Sequence, residues 1–422
     1  MEARFGSPWR PGVTWRDRPA WRGWRRGVAS EVNRIEESDL DTLDLLATLV
    51  GMDTTAQHTN LQLVGFVEAL LDDHGIPHER VMSPDGTCAN LLARIGPEVE
   101  GGVVLSGHTD CVPVVGQPWT RDPFTMHRGD DGRLYGRGVT DMKGFLAVVL
   151  AAVPRMLDAG LQRPVILALS YDEEIGTVGA PSLVDRLVEA LPRPESVVIG
   201  EPTSMEVVTA HKGVRAFTTI VDGQDAHSSQ PQKAANAVAA AARIAAFVDD
   251  LALQHAEAGA DPRFDPPYTT FNLATINGGQ AINIVPRRCE LTWEYRPVPG
   301  DDGEAILEQV QRFAEDEVLP TLRRGSGEGE ISFVVDSMAR ALADEDGGPA
   351  ETLCRELTGY SGPARTVAFG TDGGHFQAAG LSTVVCGPGS IDQAHIADEW
   401  IEVDQLDAAA RFVDGVVDHL TH

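Results

Sequence analysis

The chain is poor in cysteine, in positive charge and in long apolar runs, and each shortage excludes something. Five cysteines, Cys88, Cys111, Cys289, Cys354 and Cys386, are spread over 422 residues. Their number is odd, their spacing is wide, and no C-x-x-C pair occurs. That usage excludes a disulfide framework and leads us to expect a reducing, cytoplasmic setting. Lys and Arg number 34 against 63 Asp and Glu, a formal net charge of −29. Nucleic-acid binding needs a basic surface, so no nucleic-acid partner is expected. The acidic balance favours solubility and is compatible with a bound cation or a cationic substrate. No apolar run approaches the roughly 20 residues of a membrane span, so no membrane partner is expected either. The remaining composition, 42% hydrophobic and 23% charged, is ordinary for a soluble globular protein. At this length two domains are the default.

Residues 1–28 stand apart, with Trp9, Trp15, Trp21, Trp24 and seven arginines against only Glu2 and Asp17. No apolar stretch follows Arg25-Arg26, which speaks against a secretory or twin-arginine signal. The expectation is a disordered extension reaching to residue 36. From residue 37 apolar positions recur at helical spacing, as in Leu61, Val64, Val67, Leu70 and Leu71. Strand signals follow at 90–95, 103–105, 165–169 and 197–199, alternating with helical stretches at 145–157 and 182–191. This alternation means an α/β layer. The texture changes near His211-Lys212-Gly213. Strand, helix, strand, strand, helix, strand then follow at 216–221, 234–251, 270–276, 289–295, 301–313 and 331–335. That order suits a small α+β unit inserted into the layer, over 213–337. The α/β texture resumes with a helix at 351–357, a strand at 382–386 and a closing helix at 403–420. The catalytic layer is therefore expected over 37–212 and 338–422.

Polar clusters fall where apolar runs end. Val103-Val104-Leu105 leads into Gly107-His108-Thr109-Asp110, and Asp141 arrives after a glycine-punctuated loop. The 165–169 run ends in Asp172-Glu173-Glu174, and the 197–199 run ends in Gly200-Glu201. Open α/β sheets place their sites at the C-terminal ends of strands. A His-x-Asp at such an end suits a metal ligand whose ring is held by a nearby carboxylate. If the acids converge, like charges about 4 Å apart repel by roughly 4 kcal/mol per pair at an effective dielectric near 20. Two divalent cations, bridged by one carboxylate, relieve that repulsion and activate water for hydrolysis. Imidazole and carboxylate together suit zinc, with cobalt or manganese as substitutes. Adjacent Glu173 and Glu174 point different ways if the backbone is extended, so one can bind metal while the other handles a proton. Cys111, beside the first cluster, reads as a small buried residue. Gly370-Thr371-Asp372-Gly373-Gly374 lacks the lysine of a phosphate loop and reads as a turn.

Over about residues 38–420 the sequence resembles the zinc aminoacylase and carboxypeptidase-type amidohydrolases. The motifs carrying this are G-H-T-D at 107–110, W-T-R-D-P-F at 119–124, D-G-R-L-Y-G-R-G at 131–138 and D-M-K-G-F at 141–145. I-G-E-P-T-S at 199–204, A-H-K-G at 210–213, R-P-V-P-G at 296–300 and G-P-G-S-I-D-Q-A-H at 387–395 add to them. The resemblance implies a mixed-sheet, zinc-exopeptidase-like catalytic domain with helices on both faces, plus an inserted α+β lid and dimerisation domain. It implies that His108 and Glu201 hold one metal, Glu174 and His395 the other, and that Asp141 bridges. Asp110 would orient His108, and Glu173 would be the general base and then the acid. His227 would reach a partner subunit's site in a homodimer and stabilise the oxyanion. Asn283 would lie near the same oxygen, and Arg296 and Thr371 would grip a substrate carboxylate. Arg296 is also readable as a plain lid salt bridge. The implied reaction removes an acyl group from an N-acylated amino acid. D-M-K-G-F and G-P-G-S-I lean toward deacetylation of N-acetyl-ornithine, a step of arginine biosynthesis. Desuccinylase, other N-acyl amidohydrolase and dipeptidase readings stay open, as does a metal-binding module without catalysis.

Overall fold

Three apolar runs, at 103–105, 165–169 and 197–199, carry no polar interruption because their strands are covered on both faces. The structure, a computed structural model, describes residues 41–259 and 261–422. The extension expected over 1–36 lies outside the described residues.

Helices α1 (Thr42–Val50) and α2 (Leu61–Asp73) lead into strands β1 (His78–Met82), β2 (Ala89–Ile95) and β3 (Val103–His108). The short strands β4 (His127–Arg128) and β5 (Leu134–Tyr135) precede α3 (Lys143–Ala151) and α4 (Val153–Asp158). Next come β6 (Val165–Ser170), α5 (Ala180–Ala190), β7 (Ser196–Ile199) and β8 (Val208–His211). The chain then builds β9 (Val214–Asp222), α6 (Ala237–Ala258), β10 (Thr270–Gly278) and β11 (Arg288–Arg296). It continues through α7 (Gly303–Phe313), α8 (Leu319–Arg323) and β12 (Glu330–Ala339). It closes with α9 (Pro349–Thr358), β13 (Arg365–Val367), α10 (Gly373–Ala378), β14 (Thr383–Val385), β15 (Trp400–Ile401) and α11 (Val403–His419).

The larger sheet has the order β1-β2-β6-β3-β7-β14-β8-β13. Its central strands β6, β3, β7 and β14 are mutually parallel, while β2 joins β6 and β8 joins β14 antiparallel. The sheet is therefore mixed, and its four central strands end on the same edge. Successive side chains go to opposite faces. Val103, Leu105, Val165, Leu167 and Leu169 pack in one core with residues of α1, α2, α3 and α11. Val104, Ile166, Ala168, Val197 and Ile199 pack in the other with Leu183, Val184 and Leu187 of α5 and Phe376 of α10. Each such side chain contributes about 1.5–3 kcal/mol through burial.

The inserted unit is a four-stranded antiparallel sheet, β10-β11-β9-β12. Strand β9 buries alternate residues, as expected for a sheet with one covered face. Helix α6 closes that face, its Ile244 and Val248 packing in one core with Phe217, Val221, Leu291 and Trp293.

Two local readings needed revision. The single helix expected at 145–157 is two helices meeting at Ala152, and Pro154 lies in the first turn of the second. Proline lacks the N–H an uninterrupted helix needs there. The Gly370–Gly374 turn runs on into α10, with Asp372 at its N-terminus. Strands β4, β5 and β15 form a small three-stranded sheet of two-residue elements, too short for any periodicity to register.

Candidate metal centre

Each acid or imidazole of the cluster is carried by the end of a structural element. His108 is the last residue of β3 and pairs with Ser170, the last residue of β6. The turn after β6 carries Glu173 and Glu174. Glu201 follows β7 after Gly200, where a Cβ would lie 2.1 Å from the Phe145 ring. Glycine there lets β7 run out directly against α3. Asp141 lies just ahead of α3, and His395 lies on the loop between β14 and β15.

Asp141 stands at the centre. Its Oδ1 is 2.9 Å from His108 Nε2, and its Oδ2 is 3.1 Å from His395 Nε2. His108 Nε2 is also 3.5 Å from Glu201 Oε1, and His395 Nε2 is 3.0 Å from Glu174 Oε2. His108 Nδ1 donates to the Asp110 carbonyl oxygen at 3.0 Å, with the Asp110 carboxylate at 3.6 Å. A carbonyl only accepts, so Nδ1 carries the hydrogen. The Asp110 carboxylate accepts from the backbone N–H of Glu173 and of Glu174, each at 3.1 Å. Asp110 thus fixes both the imidazole and the turn bearing the paired glutamates.

The two glutamates face different partners. Ligand atoms of His108, Glu173 and Glu201 lie within 4.8 Å of one another, and so do those of His108, Asp141 and Glu174. The backbone turns at Glu173-Glu174, with Gly176 N–H donating to the Glu173 carbonyl at 2.8 Å, so the condition of an extended segment is not met.

The electrostatics point to missing positive charge. Burial pushes the Glu201 carboxyl well above the usual range, with Asp141 adding to it. Burial does the same to Glu173, helped by Asp372, Glu174 and Asp110 against His108. Glu174 is pushed up to about 7 by burial and by Asp141. Burial opposes charge on His108, but Glu201, Asp141 and Asp110 carry its pKa well above the ordinary value. Hydrogen bonds to Asp141 and Glu174 raise His395 to about 10. Asp141 is itself held low despite burial, because both imidazoles favour its anion. Glu174 Oε1 is buried without a partner. A neutral imidazole aims a lone pair from Nε2 into a ring of carboxylate oxygens, which suits a cation. The donor set of His, Asp and Glu fits two divalent metals.

The other expected residues are distributed as follows. His227 and Asn283 come together on the inserted unit: His227 bridges Ile284, and Ser228 N–H donates to Asn283 O at 3.0 Å. His227 is bonded through Nδ1 to Ser229. Neither residue hydrogen-bonds to the acidic cluster within the same chain, among the described residues. Arg296, at the end of β11, pairs with Glu294 at 3.2 Å, the plain salt-bridge alternative. Thr371 is buried, and its hydroxyl is engaged with His211 Nε2 at 2.9 Å and Gly373 N–H at 3.0 Å. Its expected grip on substrate therefore meets a hydroxyl already in use. Cys111 is buried with its thiol pushed up to about 11 by desolvation, as a packing residue should be.

Sequence reasoning passed over Asp372. It is buried, accepts from Ser170 Oγ at 2.5 Å, leaves Oδ1 unpartnered, and has its carboxyl raised to about 6 by burial. Its signal was visible in G-T-D-G-G but was read only as turn chemistry.

A family model described as peptidase family M20/M25/M40 matches residues 104–419. An acetylornithine deacetylase of Myxococcus xanthus is 35% identical over 372 residues, covering 86% of this chain and 92% of its own length. One from Pectobacterium atrosepticum is 33% identical over 383 residues, covering 90% and 96%. Among solved structures, a tripeptidase from Staphylococcus aureus superposes with a TM-score of 0.70 at 20% identity, covering 92% of this chain and 100% of its own. A metallo-carboxypeptidase from Sulfolobus solfataricus gives 0.68 at 18%, covering 92% and 99%. At such identities the structures speak for the fold alone.

Proposed function

The chain belongs to peptidase family M20/M25/M40 and is a metal-dependent hydrolase of linear amides, and from that premise we propose that it deacylates N-acylated amino acids, with N-acetyl-ornithine as substrate. The observation that carries the reading is the division of Asp141 between two histidines, one carboxylate oxygen to each. In this reading His108 and Glu201 would hold one ion and Glu174 and His395 the other, with Asp141 offering an oxygen toward each. When bound, such a pair, zinc by preference, polarises a carbonyl oxygen and lowers the pKa of water toward neutrality.

The chain's own groups supply the remainder. Glu173 lies beside His108 and Glu201, and burial raises its carboxyl. A general base works best with its pKa near the operating pH. Glu173 takes a proton from water as the water oxygen bonds to the amide carbon. The C–N bond then breaks, and Glu173 returns the proton to the departing nitrogen. Acetate and the free amino acid leave. Asp110 keeps His108 and the Glu173 turn in register throughout.

His227 and Asn283 act on the oxyanion from a second copy of the chain, in a homodimer. Edge strand β10 exposes Leu273 and Ile276, and the loop after it exposes Ile282 fully. An exposed apolar edge of this kind favours pairing with another copy. Arg296 and Thr371 grip the substrate carboxylate, Arg296 by releasing Glu294 and Thr371 by releasing His211. The activity for which the relatives are named, and the D-M-K-G-F and G-P-G-S-I motifs, support the acetylated substrate and its place in arginine biosynthesis.

The test is steady-state kinetics across N-acetyl-ornithine, N-succinyl-diaminopimelate, other N-acetyl amino acids and dipeptides, with metal counted in the same preparation. The highest kcat/KM is expected for N-acetyl-ornithine. A higher value for a succinylated substrate or a dipeptide overturns the substrate assignment. Metal bound with no hydrolysis of any substrate overturns the catalytic one.

A further inference from the structure

Of the residues proposed to hold cations, Glu174 and Glu201 directly follow central strands, whereas Asp141 and His395 sit on loops farther from any strand end. His395 has a backbone φ of 60°, in the left-handed region. For an L-residue that conformation costs about 1–2 kcal/mol. Asp141 ends the loop that follows Gly136. Something outside these loops has to hold their spacing.

One buried carboxylate and its partners do so. Glu399 is 1% exposed. Its Oε1 accepts from the backbone N–H of Thr140 at 2.9 Å and of Asp141 at 3.2 Å. Its Oε2 accepts from Gly138 N–H at 3.0 Å and from Arg137 Nη1 at 2.7 Å. The other Nη of Arg137 donates to Gln117 Oε1. Gln117 Nε2 donates in turn to the His395 carbonyl oxygen at 2.9 Å. Trp119 Nε1 also donates to Gln117 Oε1, at 3.0 Å, and its ring lies 5.0 Å from the Arg137 guanidinium. Thr120 ties the same segment to the His395 loop, donating through N and Oγ1 to the two Asp398 oxygens at 3.0 and 2.8 Å. An ionised carboxylate costs several kcal/mol to bury unless its lone pairs are met. Here they are met by the backbone of the Asp141 loop.

We propose that Glu399, Arg137 and Gln117 are positioning residues forming a brace between the Asp141 and His395 loops, and that this brace sets the affinity of the cation position those residues share with Glu174. The inference rests on the two-cation reading above. It makes the G-R-G of 136–138, the Gln117–Thr120 segment and the Asp398-Glu399 pair parts of one device. No brace bond reaches Glu201, and His108 meets it only through the shared Asp141. The other position meets the brace only through the shared Asp141, which Glu399 holds and Gln117 does not touch.

Gln117→Glu is the sharpest test. It keeps an acceptor for Arg137 and Trp119 but turns the Nε2 donor into an oxygen facing the His395 carbonyl. Zinc titration of the chelator-treated protein, by competition with a chromophoric chelator, reads each affinity separately. Wild type is expected to take up two ions. Glu399→Gln, which loosens the shared Asp141, is expected to lower both affinities; in Gln117→Glu one affinity is expected to fall about 10–100-fold, as when other partners of metal ligands are removed. The other affinity stays unchanged. A role confined to holding the fold lowers the melting temperature of the metal-free protein and leaves both affinities alone, which overturns the proposal. Glu399 is deeply buried and its variant can fail to fold; Gln117 is partly exposed, so its variant decides the matter alone. Two ions in wild type with unaltered affinities in folded Gln117→Glu sink the brace only. Fewer than two ions in wild type sink the two-cation reading and the brace with it.

Discussion

At the scale of single residues, the account depends on which groups are free to move a proton. Glu173→Ala is expected to lower kcat by about a hundred- to ten-thousand-fold, the usual worth of a general base, with metal content intact. Turnover near that of wild type would remove Glu173 from the chemistry. His395→Ala is expected to leave about one ion per chain by elemental analysis, because one ligand and one side of the Asp141 bridge are lost. Two ions retained would exclude His395 as a ligand. Away from the site, burial lowers His211 to about 4. Its Nδ1–H donates to the Lys212 carbonyl at 2.8 Å, and Nε2 faces the Thr371 hydroxyl. The unfolded chain binds a proton at this histidine below about 6.5, and the folded chain only below about 4. Unfolding therefore takes up protons in that window, and stability falls as pH drops through it. For one fully buried imidazole the loss approaches roughly 3 kcal/mol. His211→Gln should flatten the acid limb of a melting-temperature profile between these values, and an unchanged slope would refute the assignment. The ligand types were legible residue by residue, because His, Asp and Glu at the ends of apolar runs announce themselves. The brace and Asp372 were not, because their meaning lies in contacts between segments far apart in sequence.

At the scale of elements, the sheet edge does the assembling. Parallel β6, β3, β7 and β14 deliver their C-terminal ends to one side. That is why clusters distant in sequence meet. Gly200 allows β7 to pass against Phe145 at the start of α3, bringing Glu201 toward Asp141. Gly200→Ala overpacks this contact, with an expected loss of about 1–3 kcal/mol in denaturant unfolding and a weaker grip on metal. Stability and metal affinity equal to wild type would show that the contact has slack. The long central strands and the amphipathic helices were readable from periodicity, since burial on one or two faces imposes it. Some ends were off by a residue or two, as at 216–221 against Val214–Asp222, and others by more, as at 234–251 against Ala237–Ala258. The short strands β13, β4, β5 and β15 and the helix break at Pro154 escaped, because two or three residues carry no period.

At the scale of the whole molecule, the chain is two cores on the faces of one sheet and a further core under another. The change of texture near residue 213 was visible, since β9 alternates where β3 and β6 open on unbroken apolar runs and are buried throughout. What one chain does not supply is a route from His227 to the cluster. Charging the free edge of β10, for example by Leu273→Lys with Ile276→Lys, is expected to shift the protein from dimer to monomer in light scattering. It should lower kcat while leaving both metals bound. A monomer as active as wild type would end the assignment of His227 to a partner's site.

All of this depends on acids and imidazoles from separate loops sharing two cations, and anomalous diffraction at the zinc edge, from crystals grown with zinc, tests it most directly. Two peaks are predicted, one among His108, Asp141 and Glu201 and one among Asp141, Glu174 and His395. A single peak, or none touching Asp141, would contradict the account.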